Sequence, residues 1–175
     1  MIHAAFLRAV NVGKHNRIRM ADLRALVEGL GYGEVRTYLQ TGNVALDAGR
    51  QKPVTVATRL EEALTASGMK NVDVMVRTRA ELERVVRAQP FAGYDPEAHY
   101  RLVLFTKAAI NPPRTPLELK GVTFLPSPRH VLFAVSEKGS RSVNPSALAE
   151  SHWKVRATGR WWNVVEDFAR DVLTT

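Results

Sequence analysis

Residues 2–77 alternate between the apolar spacing of strands and that of helices, and this order restricts the chain to few folds. Strand-like patterns occupy residues 2–10, 34–40, 44–47 and 72–77. Helical spacing fills residues 20–30 and 53–68, between the first and second strands and between the third and fourth. The resulting order is β-α-β-β-α-β. Its simplest closed arrangement is a ferredoxin-like split β-α-β unit.

The second half of the chain predicts shorter and less regular elements. Thr78 and Glu81 have the spacing of a capping box, which starts a helix that Pro90 stops. Strands are expected at residues 99–106, 122–125 and 131–136, and short or terminal helices near Leu117, from Asn144 onwards, and over residues 161–172. We therefore expect an α+β protein with an N-terminal half, residues 1–89, packed on a second α+β half, residues 99–175. The two halves could form one domain.

The net charge of +8 and the absence of cysteine limit the classes of function. Without cysteine there are no disulfides, thiolate metal sites or cysteine nucleophiles. A basic chain attracts phosphate-bearing ligands and nucleic acid, which are the partners that we expect. No secretory signal and no apolar segment of membrane-spanning length is visible, so a cytoplasmic location and no membrane partner are expected.

The familiar catalytic and cofactor motifs are missing from this sequence. The five histidines form no pair with metal-ligand spacing. There is also no Gly-x-Ser-x-Gly elbow, no Walker loop and no Gly-x-Gly-x-x-Gly motif. We therefore expect neither a cofactor nor a metal site. An RNA-recognition domain is disfavoured, because the third predicted strand carries no aromatic residue for base stacking.

The most informative local segment is the junction between the first strand and the first helix, LRAVNVGKHNRIR at residues 7–19. It gathers cations, amides and a glycine, and no acidic residue precedes Asp22. A helix start presents free N–H groups, so this junction is suited to holding an anion. The candidate ligand-binding residues here are Arg8, Asn11, Gly13, Lys14, Asn16 and Arg17.

Structural alternatives remain open for these residues. Arg8 could instead form an ion pair with Asp47 or Asp73. The two asparagines and Gly13 could simply shape the turn and cap the helix.

Two further segments contribute candidate residues. Gln40 directly precedes the tight turn predicted between the second and third strands, and Asn43 is part of that turn. Arg160 and Asn163 are predicted at the start of the last helix, which could share a cleft with the first junction. Trp161 and its neighbour Trp162 are assigned to packing and surface cover, with base stacking as the less favoured alternative.

The segment from Phe6 to Leu46 resembles the opening of a bacterial family catalogued as domain of unknown function 1697. The matching residues are Leu7, Arg8, Asn11, Val12, Gly13, Asn16, Met20, Thr37, Tyr38, Gln40, Gly42 and Asn43. A second family pattern, Thr-x-Arg-Asn-x-Asn-Thr, is similar to residues 158–164, with Trp161 and Val164 replacing the usual Asn and Thr. Ala9 and Lys14 stand where the family usually has glycine. The resemblance implies a two-lobed α+β fold and supplies no catalytic residues.

Three hypotheses for the function follow. The leading one is an anion-binding module for a phosphate-bearing ligand, with nucleic acid as one candidate. The second is an enzyme acting on a small phosphorylated or carboxylated substrate, with His15 or Asp47 as the general acid or base. The third is a structural or interaction domain in which these motifs only secure the fold.

Overall fold

The computed structural model describes residues 1–141 and 143–173, and it shows an α+β protein with two antiparallel sheets. The chain divides into two compact units. Unit 1 comprises Met1–Val85 together with the residues from Asp167 onwards, and unit 2 comprises Val86–Glu166. Within the described ranges, no helix combines the length and the apolar character needed to cross a bilayer.

Unit 1 confirms the predicted β-α-β-β-α-β order of elements. Its elements are β1 Ile2–Arg8, α1 Met20–Gly29, β2 Gly33–Tyr38, β3 Asn43–Asp47, α2 Pro53–Ala66 and β4 Asp73–Thr78. The strands form an antiparallel sheet in the order β2-β3-β1-β4. The ferredoxin-like classification of this unit stays a prediction.

Strand β1 lies in the interior of the sheet, and its side chains are buried on both faces. Ala5 and Leu7 belong to the apolar core that also includes the buried faces of α1 and α2. On the opposite face, the ring of Phe6 lies 5.7 Å from that of Phe168. A strand buried on both sides reads as a continuous apolar run, as residues 4–7 do. This central position brings the carboxyl end of β1 to the start of β3.

Helix α3, Arg79–Arg87, follows β4 and begins with the predicted capping box. The backbone N–H of Thr78 donates to Glu81 Oε2 over 2.8 Å, and the N–H of Glu81 donates to Thr78 Oγ1 over 3.2 Å. Two free N–H groups of the helix start are thereby satisfied.

Unit 2 contains the second sheet. Its elements are β5 His99–Thr106, β6 Leu117–Leu119, β7 Val122–Leu125, β8 Val131–Glu137, α4 Pro145–Trp153 and β9 Ala157–Trp161. The antiparallel strand order is β6-β7-β8-β5-β9. The predicted strand at residues 99–106 and the helix capped by Asn144 are confirmed, the latter through bonds from Ser146 N and Ala147 N.

One predicted helix is wrong, and the last helix begins one residue later than predicted. The residues around Leu117 form strand β6, because Lys120 and Gly121 both take positive φ, 47° and 80°, and turn the chain back into β7. Trp161 ends strand β9, where it lies opposite Leu102 of β5. The last helix therefore starts one residue later, as α5 Trp162–Asp167, and continues as a π-helical turn over Phe168–Val172.

Candidate functional site

The loop between β1 and α1 is built around the side-chain amide of Asn11. Its Nδ2 donates to the carbonyl of Ile18 over 3.0 Å and to that of Gln40 over 2.8 Å. Its Oδ1 accepts a hydrogen bond from the backbone N–H of Ile18 over 2.9 Å. The amide thus closes the loop on itself and ties it to the turn after β2.

Asn16 braces the other side of the same loop. Its Nδ2 donates to the carbonyls of Ala9, at 3.0 Å, and Lys70, at 2.7 Å, while its Oδ1 accepts from the N–H of Lys70 at 3.0 Å. Asn11 and Asn16 also take positive φ, 54° and 51°, which Asn adopts more readily than most residues. Both amides are therefore engaged within the protein, as the turn-shaping alternative predicts.

The β2–β3 turn is fixed against the end of β1. The backbone N–H of Leu7 donates to the carbonyl of Gly42 over 2.9 Å. Asn43 is fully buried, and its Nδ2 donates to the carbonyl of Tyr38 and to Thr41 Oγ1. Asn43 therefore supports the turn from inside.

Where the β1–α1 loop meets this turn, a groove of about 570 Å³ opens. The name "loop groove" is used below for this depression. Its lining residues are Asn11, Arg17, Ile18, Arg19, Asp22, Gln40 and Thr41. The fold thus brings together three of the predicted ligand-binding residues, Asn11, Arg17 and Gln40.

The charges along the loop groove are two arginines and one carboxylate. Arg19 Nε and Nη2 donate to the Asp22 carboxylate at 2.8 and 3.0 Å. These hydrogen bonds hold the pKa of Asp22 below its ordinary value, which favours its ionised form. Arg17 is exposed and forms no ion pair with any residue in the described ranges. The lining therefore carries an excess of one positive charge, on Arg17.

Other predicted residues of this junction do not line the loop groove. Arg8 lies 3.7 Å from Asp73 as a partly buried ion pair, which is one of the two pairings anticipated for it. Gly13 and Lys14 are exposed at the tip of the loop. Lys14 can attract an anion electrostatically, but its place at the tip puts it outside the lining.

Arg160 and Asn163 lie in unit 2. The prediction that Arg160 begins the last helix is wrong, because it lies in β9 and is 93% buried. Its Nη1 donates to Thr158 Oγ1 over 2.8 Å and to the carbonyl of Gly159 over 2.9 Å, and burial lowers its pKa to about 10. Asn163 is exposed in the first turn of α5. The cleft predicted to join these residues to the β1–α1 loop stays a prediction.

The two acid–base candidates also lie away from the lining of the loop groove. His15 is exposed in the loop. Asp47 is at the end of β3 opposite to Asn43, where it accepts hydrogen bonds from the N-terminal ammonium group and from Gly49 N. These bonds lower the pKa of Asp47. In residues 1–141 and 143–173, no three His, Asp or Glu side chains cluster so as to hold a metal ion.

Four residues of the lining were missed as site residues from the sequence: Ile18, Arg19, Asp22 and Thr41. The spacing of Arg19 and Asp22 is a signal that could have found them, since residues three apart at a helix start face each other. Ile18 and Thr41 gave no such signal, because their position depends on the packing of the loop against the β2–β3 turn.

The fold and the loop groove define an α+β protein of two antiparallel sheets with a mildly basic depression at a strand-to-helix loop. The model of the family described as Protein of unknown function (DUF1697) matches residues 1–120, and the chain belongs to this family. The matched range includes the whole loop groove and ends before the Thr158–Asn163 pattern.

A solved structure shares the fold. The conserved bacterial protein SP0830 from Streptococcus pneumoniae is similar with a TM-score of 0.72 at 16% sequence identity, over 97% of each chain. At this identity the likeness concerns the fold alone. No curated protein matches the chain.

Proposed function

We propose that this protein is an anion-binding module whose loop groove takes a phosphate-bearing ligand, with nucleic acid as one candidate. The observation that carries the proposal is the position of Arg17. Its guanidinium lies in a groove of about 570 Å³, within the size range of small-molecule sites, and has no carboxylate partner among the described residues. A guanidinium offers paired donors that fit phosphate oxygens.

The rigidity of the loop supports the proposal. The hydrogen bonds of Asn11 and Asn16 fix the loop before any ligand arrives, so binding costs less conformational entropy.

The start of helix α1 also supports the proposal. Arg19 is the N-cap of α1 and makes no side-chain capping bond, and the first α-helical backbone bond runs from Leu23 N to Arg19 O. The N–H groups before Leu23 in α1 therefore have no α-helical backbone partner. Three of the residues that line the loop groove lie at this helix start.

The proposal is tested by titrating inorganic pyrophosphate and labelled oligonucleotides, single- and double-stranded, into wild type and Arg17→Gln. Arg50→Gln is the matched control, because Arg50 is also an exposed arginine of unit 1 and follows the end of β3 that lies away from the β2–β3 turn. We expect Arg17→Gln to weaken binding at least about fivefold, the size of one exposed charge–phosphate contact. The control should stay close to wild type.

Salt dependence provides a second readout of the same titration. If several phosphates of an oligonucleotide are neutralised, affinity should fall steeply between about 50 mM and about 200 mM salt. A wild type that binds none of these probes, or equal losses in Arg17→Gln and Arg50→Gln, would overturn the proposal.

A structural role for the motif is the second candidate, and a specific observation favours it. The amides of Asn11, Asn16 and Asn43 all donate to backbone carbonyls of the protein itself. If the motif serves only the fold, Arg17→Gln leaves every probe titration unchanged while Asn11→Ala lowers the melting temperature. The probe affinity of Arg17→Gln and the melting temperature of Asn11→Ala together distinguish an anion-binding role from a purely structural one.

A further inference from the structure

Two large aromatic side chains lie exposed together on the second sheet. Tyr100 of β5 is 44% exposed and Trp161 of β9 is 50% exposed, with ring centroids 5.6 Å apart at an interplanar angle of 40°. The name "aromatic pair" is used below for these two residues. Trp162, the next residue, is buried against Phe91 at 5.3 Å. The chain thus buries one tryptophan and leaves its neighbour in solvent.

The register of the sheet explains why the two rings meet. Trp161 lies opposite Leu102 in the antiparallel ladder, and Tyr100 is two residues before Leu102 on the same strand. Side chains two apart share a face, so Tyr100 and Trp161 are diagonal neighbours on one face of adjacent strands. This places two π-surfaces side by side on a rigid backbone, with solvent on one side.

The charge around the aromatic pair is positive. Lys138 Nζ lies 5.7 Å from the ring centroid of Tyr100. The neighbouring acid, Glu137, is opposite His99 in the ladder, so strand alternation puts it on the other face from Tyr100. Residues 86–166 contain eleven Lys and Arg against six Asp and Glu, which gives unit 2 five of the eight net positive charges.

We propose that the aromatic pair is a stacking platform for single-stranded nucleic acid. Unpaired bases stack on the rings of Tyr100 and Trp161, and the backbone phosphates lie near Lys138. Stacking on aromatic side chains beside cations is the usual means of holding single strands with little sequence preference. The positive charge of unit 2 favours this polyanion over a second copy of the same chain. This site does not depend on the loop groove.

The test separates stacking from charge and from general apolar contact. Labelled oligodeoxyadenylate and inorganic polyphosphate of similar charge are titrated against wild type, Trp161→Leu, Trp161→Phe and Tyr100→Leu. Leucine keeps an apolar surface without a π-system, and phenylalanine keeps an aromatic ring. Because both wild-type side chains are about half exposed, thermal melts should show all variants folded.

We expect wild type to bind the oligonucleotide more tightly than polyphosphate. Both leucine variants should lose about tenfold or more of the oligonucleotide affinity, while Trp161→Phe retains most of it. Oligonucleotide should also quench tryptophan fluorescence in wild type and in Arg17→Gln, and this quenching should disappear in Trp161→Phe. If the loop groove does not bind an anion, Arg17→Gln will leave the affinity for pyrophosphate unchanged, while oligonucleotide still quenches the fluorescence. The two proposals can therefore fail independently.

Three results would overturn the inference. The first is equal affinity for oligonucleotide and polyphosphate in Arg17→Gln, where the loop groove is weakened, which would reduce the interaction to charge. The second is unchanged oligonucleotide affinity in both leucine variants. The third is sedimentation of wild type as a dimer that dissociates in Trp161→Leu, which would assign the aromatic pair to self-association.

Discussion

The backbone N–H of Leu7 donates to the carbonyl of Gly42 over 2.9 Å, and a β-carbon built on Gly42 would lie 2.8 Å from Leu7 Cβ. Gly42 also has a φ of +77°, in the left-handed region that favours glycine. The β2–β3 turn therefore lies so close to β1 that a β-carbon at position 42 would clash with Leu7 unless the backbone shifted. Gln40 and Thr41, which line the loop groove, directly precede Gly42 in the chain.

Gly42→Ala should destabilise the protein by about 3 kcal/mol, because the left-handed backbone and the contact with Leu7 both penalise a methyl group. Gly49→Ala is the control. Gly49 has a φ of +58°, and a β-carbon there would meet no described heavy atom within 4 Å, so this variant should lose only about 1 kcal/mol. Chemical denaturation of both variants measures the difference. Equal losses would mean that the close contact with Leu7 contributes nothing.

Much of the fold could be predicted because its elements carry local signals. The capping box of Thr78 and Glu81 and the N-cap of Asn144 each lie within a few residues of sequence, and the structure confirms both. The sequence predicts Leu117 and Trp161 in helices, whereas both lie in short strands that are defined by their neighbours. β6 has three residues and depends on β7, and β9 pairs along β5.

The site shows the same division between local and distant determinants. The cationic, amide-rich loop was visible in the sequence, and Arg17 and Gln40 do line one groove. What the side chain of Asn16 contacts was not predictable, because its partner Lys70 is 54 residues away. The engagement of these amides inside the protein thus depends on tertiary packing that no local pattern records.

Asn11→Ala should lower the free energy of unfolding by about 2 kcal/mol. The change removes three hydrogen bonds and leaves the N–H of Ile18 without its acceptor. Asn163→Ala should change it by less than about 0.5 kcal/mol, because Asn163 is exposed. Thermal melts of the two variants under identical conditions provide the comparison. A larger loss in Asn163→Ala would contradict the assignment of Asn11 as the structural member of the motif.

Ala9 has a φ of +64°, although alanine disfavours this region. The family pattern has glycine at this position, and the backbone conformation gives the physical reason. Ala9→Gly should therefore stabilise the protein by about 0.5–1 kcal/mol, since relief of strain outweighs the added freedom of the unfolded chain. A lower denaturation midpoint in Ala9→Gly would show that the methyl group makes contacts worth more than the strain.

Asp22→Asn should raise the affinity of the loop groove for pyrophosphate about fivefold, because it removes the only carboxylate among the described lining residues and releases Arg19 to join Arg17. In wild type the hydrogen bond from Arg19 holds the pKa of Asp22 below its ordinary value, which favours the charged carboxylate that the substitution removes. The ion pair between Asp22 and Arg19 stabilises the fold at pH values above the pKa that Asp22 has in the unfolded chain. This stabilisation is lost as the pH falls through the lower pKa of Asp22 in the folded protein.

The matched control for this variant is Glu28→Gln. Glu28 pairs with Arg24 at 2.8 Å on the same helix, so the variant breaks an equivalent ion pair beyond the lining. Calorimetric titration at neutral pH should show tighter pyrophosphate binding in Asp22→Asn and wild-type affinity in Glu28→Gln. If both variants gain equally, the anion responds to the overall charge of α1 and the loop groove is not where it binds.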